Sequence, residues 1–188
     1  MFLILFLGIF YGLYTASVYK VAAQDFIDDK ALTLAGSIGS VCNGSSRIIW
    51  AAFQDRYGFK KVYYILLLLQ LAVSASIYSV RQDAVLYTIW VALSFLCEGG
   101  HFSMFPAAAA KIFGLTNGGQ IYSIMFFANS LSSITSSLFV ILGKDHIDPQ
   151  VLFLTGSAFT AINLFLMTKF SEEKLEPKKK DEDEITPD

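Results

Sequence analysis

The stretch ALTLAGSIGSVCNGSSRIIWAAF, Ala31 to Phe53, is long enough to cross a bilayer and holds one ionised side chain, Arg47. A cation at membrane depth costs roughly 2.5–3.5 kcal/mol on the insertion scale, so it faces a partner, a wet cavity or a solute path. At 1.5 Å per residue, Arg47 lies about 24 Å along this helix from its first residue. The run ends in a charged hairpin, Asp55-Arg56-Tyr57-Gly58-Phe59-Lys60-Lys61. Arg47 is therefore the first candidate for a functional residue.

Five further stretches have the same length and apolar character: Met1 to Val21, Val62 to Val80, Ala84 to Ala110, Gln120 to Leu142 and Val151 to Phe170. Runs such as Ile65-Leu66-Leu67-Leu68-Leu69 do not alternate, which excludes the strands of a membrane barrel. Hydrophobic residues make up 54% of the chain and charged residues 16%, whereas a soluble domain carries about 25% charged residues. The expected fold is all-α, a polytopic membrane bundle of six transmembrane helices over residues 1–170. Residues 171–188 are expected to be a charged, disordered tail, because Lys178-Lys179-Lys180 and Asp181-Glu182-Asp183-Glu184 bury no apolar surface. The tail reads as a solvated spacer or as a segment that binds a partner or lipid headgroups.

Arg56, Lys60, Lys61, Lys111, Lys169 and Lys174 fall on one side of such a bundle, and Lys20, Lys30, Arg81 and Lys144 on the other. The positive-inside rule then places both termini in the cytoplasm, in a membrane the sequence does not specify. Tyr78, Tyr87 and Trp90 near one boundary, and Trp50, Tyr57, Tyr63 and Tyr64 near the other, fit interfacial belts. The first span lacks a basic leader and is longer than a signal-peptide core, so it is expected to be retained. Cys42 and Cys97 fall inside helices and read as packing residues.

Two motifs carry a family resemblance. Asn43-Gly44-Ser45-Ser46-Arg47, followed by Asp55-Arg56-Tyr57-Gly58 and Lys60-Lys61, resembles the second helix and following loop in the C-terminal half of a major facilitator superfamily transporter. Glu98-Gly99-Gly100-His101-Phe102-Ser103-Met104-Phe105-Pro106, then Phe113-Gly114 and Asn117-Gly118-Gly119-Gln120-Ile121-Tyr122, is similar to the oxalate/formate antiporter and monocarboxylate transporter branch. Ala51 stands where the loop motif begins with glycine, and Phe59 replaces one of its basic residues. The resemblance implies half of a twelve-helix fold, with substrate held between two halves and alternating access around a midplane site. It also implies a second six-helix half as partner, supplied by an N-terminal domain or a homodimer. In oxalate-transporting members a lysine joins the arginine as a second anion clamp. Asn129 falls at that place here, which favours a monocarboxylate or polar neutral solute.

The candidate substrate-binding residues are Arg47, Asn43, Asn129, Glu98 and His101, beside the lipid bilayer and a small organic anion as partners. The candidate gating loop is Asp55, Arg56, Gly58, Lys60 and Lys61, with Asp55 as a latch. Gly36, Ser40, Asn43 and Arg47 share one helical face, as do Asn129, Ser132 and Ser136, and the two faces are expected to line one cavity. Bland alternatives accompany each. The alternative for Arg47 is a structural ion pair with Glu98, and Glu98 with His101 reads as a proton relay or as a packed polar pair. The serines read as helix-packing residues, and Gly99, Gly100 and Pro106 as a bend. No HExxH, phosphate loop or metal-ligand spacing is present, so an enzyme, a cofactor, a metal and nucleic acid are not expected. The other function class is a half-transporter kept as a structural or accessory subunit of a larger membrane complex.

Overall fold

Gly58 and Gly114 are the two positions among the described residues where φ is positive, 86° and 81°, and each turns the chain sharply at a helix end. Only glycine occupies that region without strain. Residues 1–143 and 148–172 are described in this computed structural model, and their regular structure is helical. Helix α1 covers Phe2–Ala23 and α2 Asp29–Tyr57. After Gly58, α3 covers Phe59–Ser76 and tightens into a 3-10 turn, Ile77–Val80. The helical run Ala84–Gly143 is broken at Gly114, giving α4 (Ala84–Gly114) and α5 (Thr116–Gly143), and α6 covers Pro149–Lys169.

The described residues form a polytopic six-helix bundle, the form that the sequence resemblance implies for half of a major facilitator fold. The connection expected between Ala110 and Gln120 is much shorter than the sequence suggested. Asn117, Gly118 and Gly119 look like turn residues, yet they are helical, and Gly114 alone makes the reversal. Gly118 then packs on the backbone of Ala110, where a Cβ would stand 2.6 Å from its Cα. Helical dihedrals continue through Gly99, Gly100 and Pro106.

The two ends of the bundle are built differently. At one end the aspartates Asp28, Asp83 and Asp148 precede α2, α4 and α6 and accept from first-turn N–H groups at 2.7–3.0 Å. Such caps satisfy donors that have no partner inside the helix. The other end, here the loop end, holds the Gly58 and Gly114 turns and both described chain ends. Residues 144–147 of the connection expected at 143–150, and residues 173–188 of the tail expected from residue 171, lie outside the described residues.

Among the described residues, four helices are long and apolar enough to cross a membrane: α1, α3 with its 3-10 turn, α4 and α5. α2 is less apolar because Ser37, Ser40, Asn43, Ser45, Ser46 and Arg47 lie along it. One core cluster gathers Leu5, Phe59, Tyr63, Leu66, Phe105 and Met167 towards the loop end. A second gathers Phe10, Tyr14, Leu32, Ile77, Tyr87 and Phe153 towards the aspartate end. Three of the expected belt aromatics belong to these cores. Trp50 donates to the Leu96 carbonyl at 3.0 Å, Tyr87 donates to the Tyr19 carbonyl at 2.7 Å, and Tyr63 is fully buried. Each polar tip finds a partner inside the bundle, so burial of the ring leaves no unpaired donor.

Candidate functional site

Asn43 and Arg47 sit one turn apart on α2, so their side chains meet on one face. Arg47 Nη2 donates to Asn43 Oδ1 at 3.0 Å, and Asn43 Nδ2 donates to Glu98 Oε2 on α4 at 3.2 Å. The carboxamide thus turns its oxygen to the guanidinium and its nitrogen to the carboxylate. The guanidinium carbon also lies 5.0 Å from the Phe102 ring centroid, a cation–π contact. Phe126 and Tyr122 of α5 continue this aromatic row at 6.3 and 5.8 Å.

Arg47 is exposed on the bundle surface, whereas Glu98 is buried. The direct ion pair offered as a reading of the two residues is not formed. Among the described residues the ion pair within 4 Å is Lys20 with Asp29, at 3.1 Å. Glu98 is packed where α1 and α2 both approach α4 closely. A Cβ on Gly12 would stand 2.9 Å from the Glu98 side chain, and one on Gly99 would collide with Ser46 and the Asn43 carbonyl. Small residues at such crossings let membrane helices come together.

His101 belongs to a different polar group. Gln70 Nε2 donates to the Gly8 carbonyl at 3.0 Å and to Thr160 Oγ1 at 2.9 Å, so its Oε1, 2.8 Å from His101 Nε2, accepts from the ring. That assigns the proton to Nε2 and leaves Nδ1 to accept from Tyr63 OH at 3.1 Å. Asn163 Nδ2 completes the network with bonds to the Ile4 carbonyl at 2.9 Å and Tyr63 OH at 3.2 Å. These partners come from α1, α3 and α6, and all of the side chains are buried. Both ring nitrogens of His101 are therefore engaged away from Glu98.

The remaining sequence candidates divide in the same way. Asn129 makes no hydrogen bond with Asn43, Arg47 or Glu98, and its buried Oδ1 has no partner among the described residues. Ser132 donates to the Phe6 carbonyl of α1 at 3.1 Å and Ser136 to the Ser133 carbonyl at 3.0 Å, so both serve packing. Gly36 lies under Tyr19, and Ser40 bonds back to the Gly36 carbonyl at 2.9 Å. At the loop end, Asp55 lines a recess of about 250 Å³ with Gln54, Phe59, Ala107 and Lys111. Arg56 lies over the Tyr57 ring at 5.4 Å, Lys61 is exposed, and Lys60 contacts Phe170 and Glu172.

Sequence reasoning missed Gln70, Thr160 and Asn163, the network around His101, and the part of Phe102. Gln70 and Asn163 had a signal, since each interrupts an otherwise apolar helix where an unpaired amide is costly. Gly8 and Gly12 also had one, in their four-residue spacing.

A six-helix bundle of this architecture, with an exposed cation presented from α2, agrees with the half-fold that the sequence resemblance implies. The Major Facilitator Superfamily model matches residues 1–187, and the chain belongs to that family. It is 29% identical over 175 residues to "Apicoplast pyruvate carrier 1" of Toxoplasma gondii, a match covering 84% of this chain and 31% of that protein. "Apicoplast pyruvate carrier 2" of the same organism is 28% identical over 132 residues, covering 66% and 20%. The "Oxalate:formate antiporter" of Oxalobacter formigenes is 26% identical over 104 residues, covering 55% and 25%. The chain thus spans at most about a third of the curated relatives it matches.

Proposed function

We propose that this chain forms one wall of a secondary transporter that moves a small monocarboxylate across a membrane by alternating access. The observation that carries the reading is Arg47. It is a guanidinium with five N–H donors, one of which bonds Asn43, and among the described residues no carboxylate pairs with it. An exposed cation in that position offers two parallel donors to an incoming carboxylate. Asn43 orients it, Glu98 stands behind Asn43, and the Phe102 ring faces the same guanidinium. The names of the three relatives all concern small carboxylates, which supports the substrate class. Asn129 is neutral at the place where the resemblance to oxalate-transporting members implies a lysine, which supports one carboxylate rather than two.

In this reading a second six-helix bundle closes the site from the other side, and the loop end faces the cytoplasm. Asp55 acts as a latch between the two access states. Arg47→Lys keeps the charge but loses the planar fork, so binding of pyruvate by the purified chain in lipid nanodiscs, alone or with a second half, should weaken roughly tenfold. Arg47→Gln should abolish it. Equal binding by wild type and both variants would overturn the assignment.

A further inference from the structure

Helix α3 begins without a cap of its own. Its N-cap is Gly58, which has no side chain, whereas α2, α4 and α6 begin on aspartates whose carboxylates take the first N–H groups. Its first turn also holds two cations, Lys60 and Lys61, and no acid. That is the positive end of the helix dipole, where an anion is favoured and a cation is not. The missing anion comes from the segment after α6. Glu172 sits against Gly58, and its Oε1 accepts from the backbone N–H of Lys60. In return, Lys60 Nζ donates to the carbonyl of Phe170, the C-cap residue of α6, at 2.5 Å. The rings of Phe59 and Phe170 meet edge to face at 5.6 Å and 68°.

We propose that Phe170 and Glu172 form a clasp that fixes the loop end of α3 to α6, so that the α2–α3 turn moves only when Glu172 leaves the start of α3. The two polar contacts are complementary: an anion sits at a helix N-terminus and a cation at a helix C-terminus. All three contacts join Phe59 and Lys60 to Phe170 and Glu172, within three positions of chain on either side, so they form and break together. Asp55 lies one turn before Gly58, and Phe59 lines the same recess as Asp55 and Lys111, so that recess is held in one shape while the clasp is closed. The inference goes beyond the transport reading, and its test uses no substrate.

The test is a distance measurement by pulsed electron resonance on the full chain, with Cys42 and Cys97 replaced by alanine. Spin labels go at Lys61 and Thr168, which are both exposed on α3 and α6. The parent should give one narrow distance. In Glu172→Ala a longer distance should appear, with the open-to-closed ratio raised about fivefold, the change that matches losing a helix cap of about 1 kcal/mol. Glu172→Gln, which keeps an acceptor without its charge, should fall between the two. An unchanged distribution in Glu172→Ala overturns the clasp. Should that variant fail to insert, Glu172→Gln and Lys60→Met carry the same test, and parental distributions in both overturn it.

Discussion

Asn43 and Glu98 are joined by a 3.2 Å hydrogen bond that crosses from α2 to α4, and it is the buried half of a chain that ends at the exposed Arg47. A neutral amide therefore separates a buried carboxylate from a guanidinium that direct pairing would neutralise. The guanidinium remains available to an anion, and Glu98 still has a donor.

Removing the amide tests that arrangement. Hydrogen bonds to charged groups contribute about 1.5–3 kcal/mol, so Asn43→Ala should weaken carboxylate binding about tenfold or more by losing the orientation of Arg47. Asn43→Asp should weaken it further, because a carboxylate one turn from Arg47 pairs with the guanidinium and competes with substrate. Titration calorimetry on the purified variants gives the order. Binding by Asn43→Asp as tight as wild type would mean that Arg47 is not the clamp.

The helix crossings make a second, independent prediction. A methyl group on Gly99 would collide with the Asn43 carbonyl, which is backbone and has little room to yield. Overpacking of this kind costs about 1–3 kcal/mol, so Gly99→Ala should lower the thermal midpoint in detergent. Gly44→Ala and Gly119→Ala meet open space and should leave it unchanged or slightly raised, since alanine is the better helix former. Equal midpoints for all three would show that the α2–α4 contact is looser than described.

The six helices were legible because hydrophobic length is a local property, and Arg47 and Asn43 were legible because a polar residue inside an apolar span stands out without any tertiary knowledge. The break at Gly114 was not. Asn117, Gly118 and Gly119 carry the stronger local turn signal, and only the packing of Gly118 on Ala110 makes that stretch helical. The separation of His101 from Glu98 was also hidden. Spacing of i and i+3 puts two residues on neighbouring positions of a helix face, but it does not choose between partners on α2 and partners on α1, α3 and α6. The ring's partners are Tyr63 and Gln70, which in turn bond Asn163 and Gly8, and these four residues lie up to 93 positions from His101 in the chain. The aromatic belt failed for Trp50, Tyr63 and Tyr87 for the same reason, since a polar tip satisfied inside the bundle resembles one satisfied at the membrane surface.

The His101 network predicts a loss of stability without a loss of binding. Tyr63→Phe removes the donor to His101 Nδ1 and the acceptor for Asn163, leaving buried groups unpaired at a cost of about 1–3 kcal/mol. The thermal midpoint should fall while carboxylate affinity stays within twofold of wild type. A Tyr63→Phe variant of normal stability that no longer binds would instead place His101 in the substrate path.

Orientation is the remaining prediction, and it rests on the charges at the two ends of the bundle. The loop end carries Arg56, Lys60, Lys61, Lys111 and Lys169, and the aspartate end Lys20, Lys30 and Arg81. Basic residues in short connections are retained on the cytoplasmic side, so the Gly58 turn should face the cytoplasm and the turn after α1 the opposite compartment. Single cysteines at Asp28 and Lys60 separate the two faces, because Asp28 lies in the connection before α2 and Lys60 in the first turn of α3. In sealed right-side-out vesicles an impermeant maleimide should label the residue 28 variant and leave the residue 60 variant unlabelled until the membrane is opened. Lys60 also joins the Glu172 contact, so a parallel cysteine at the exposed Lys61 guards against a label blocked by packing rather than by the membrane. Labelling of positions 28 and 61 from the same side would contradict the antiparallel course of α2 between them, and labelling of 61 alone would invert the bundle and place the clasp outside.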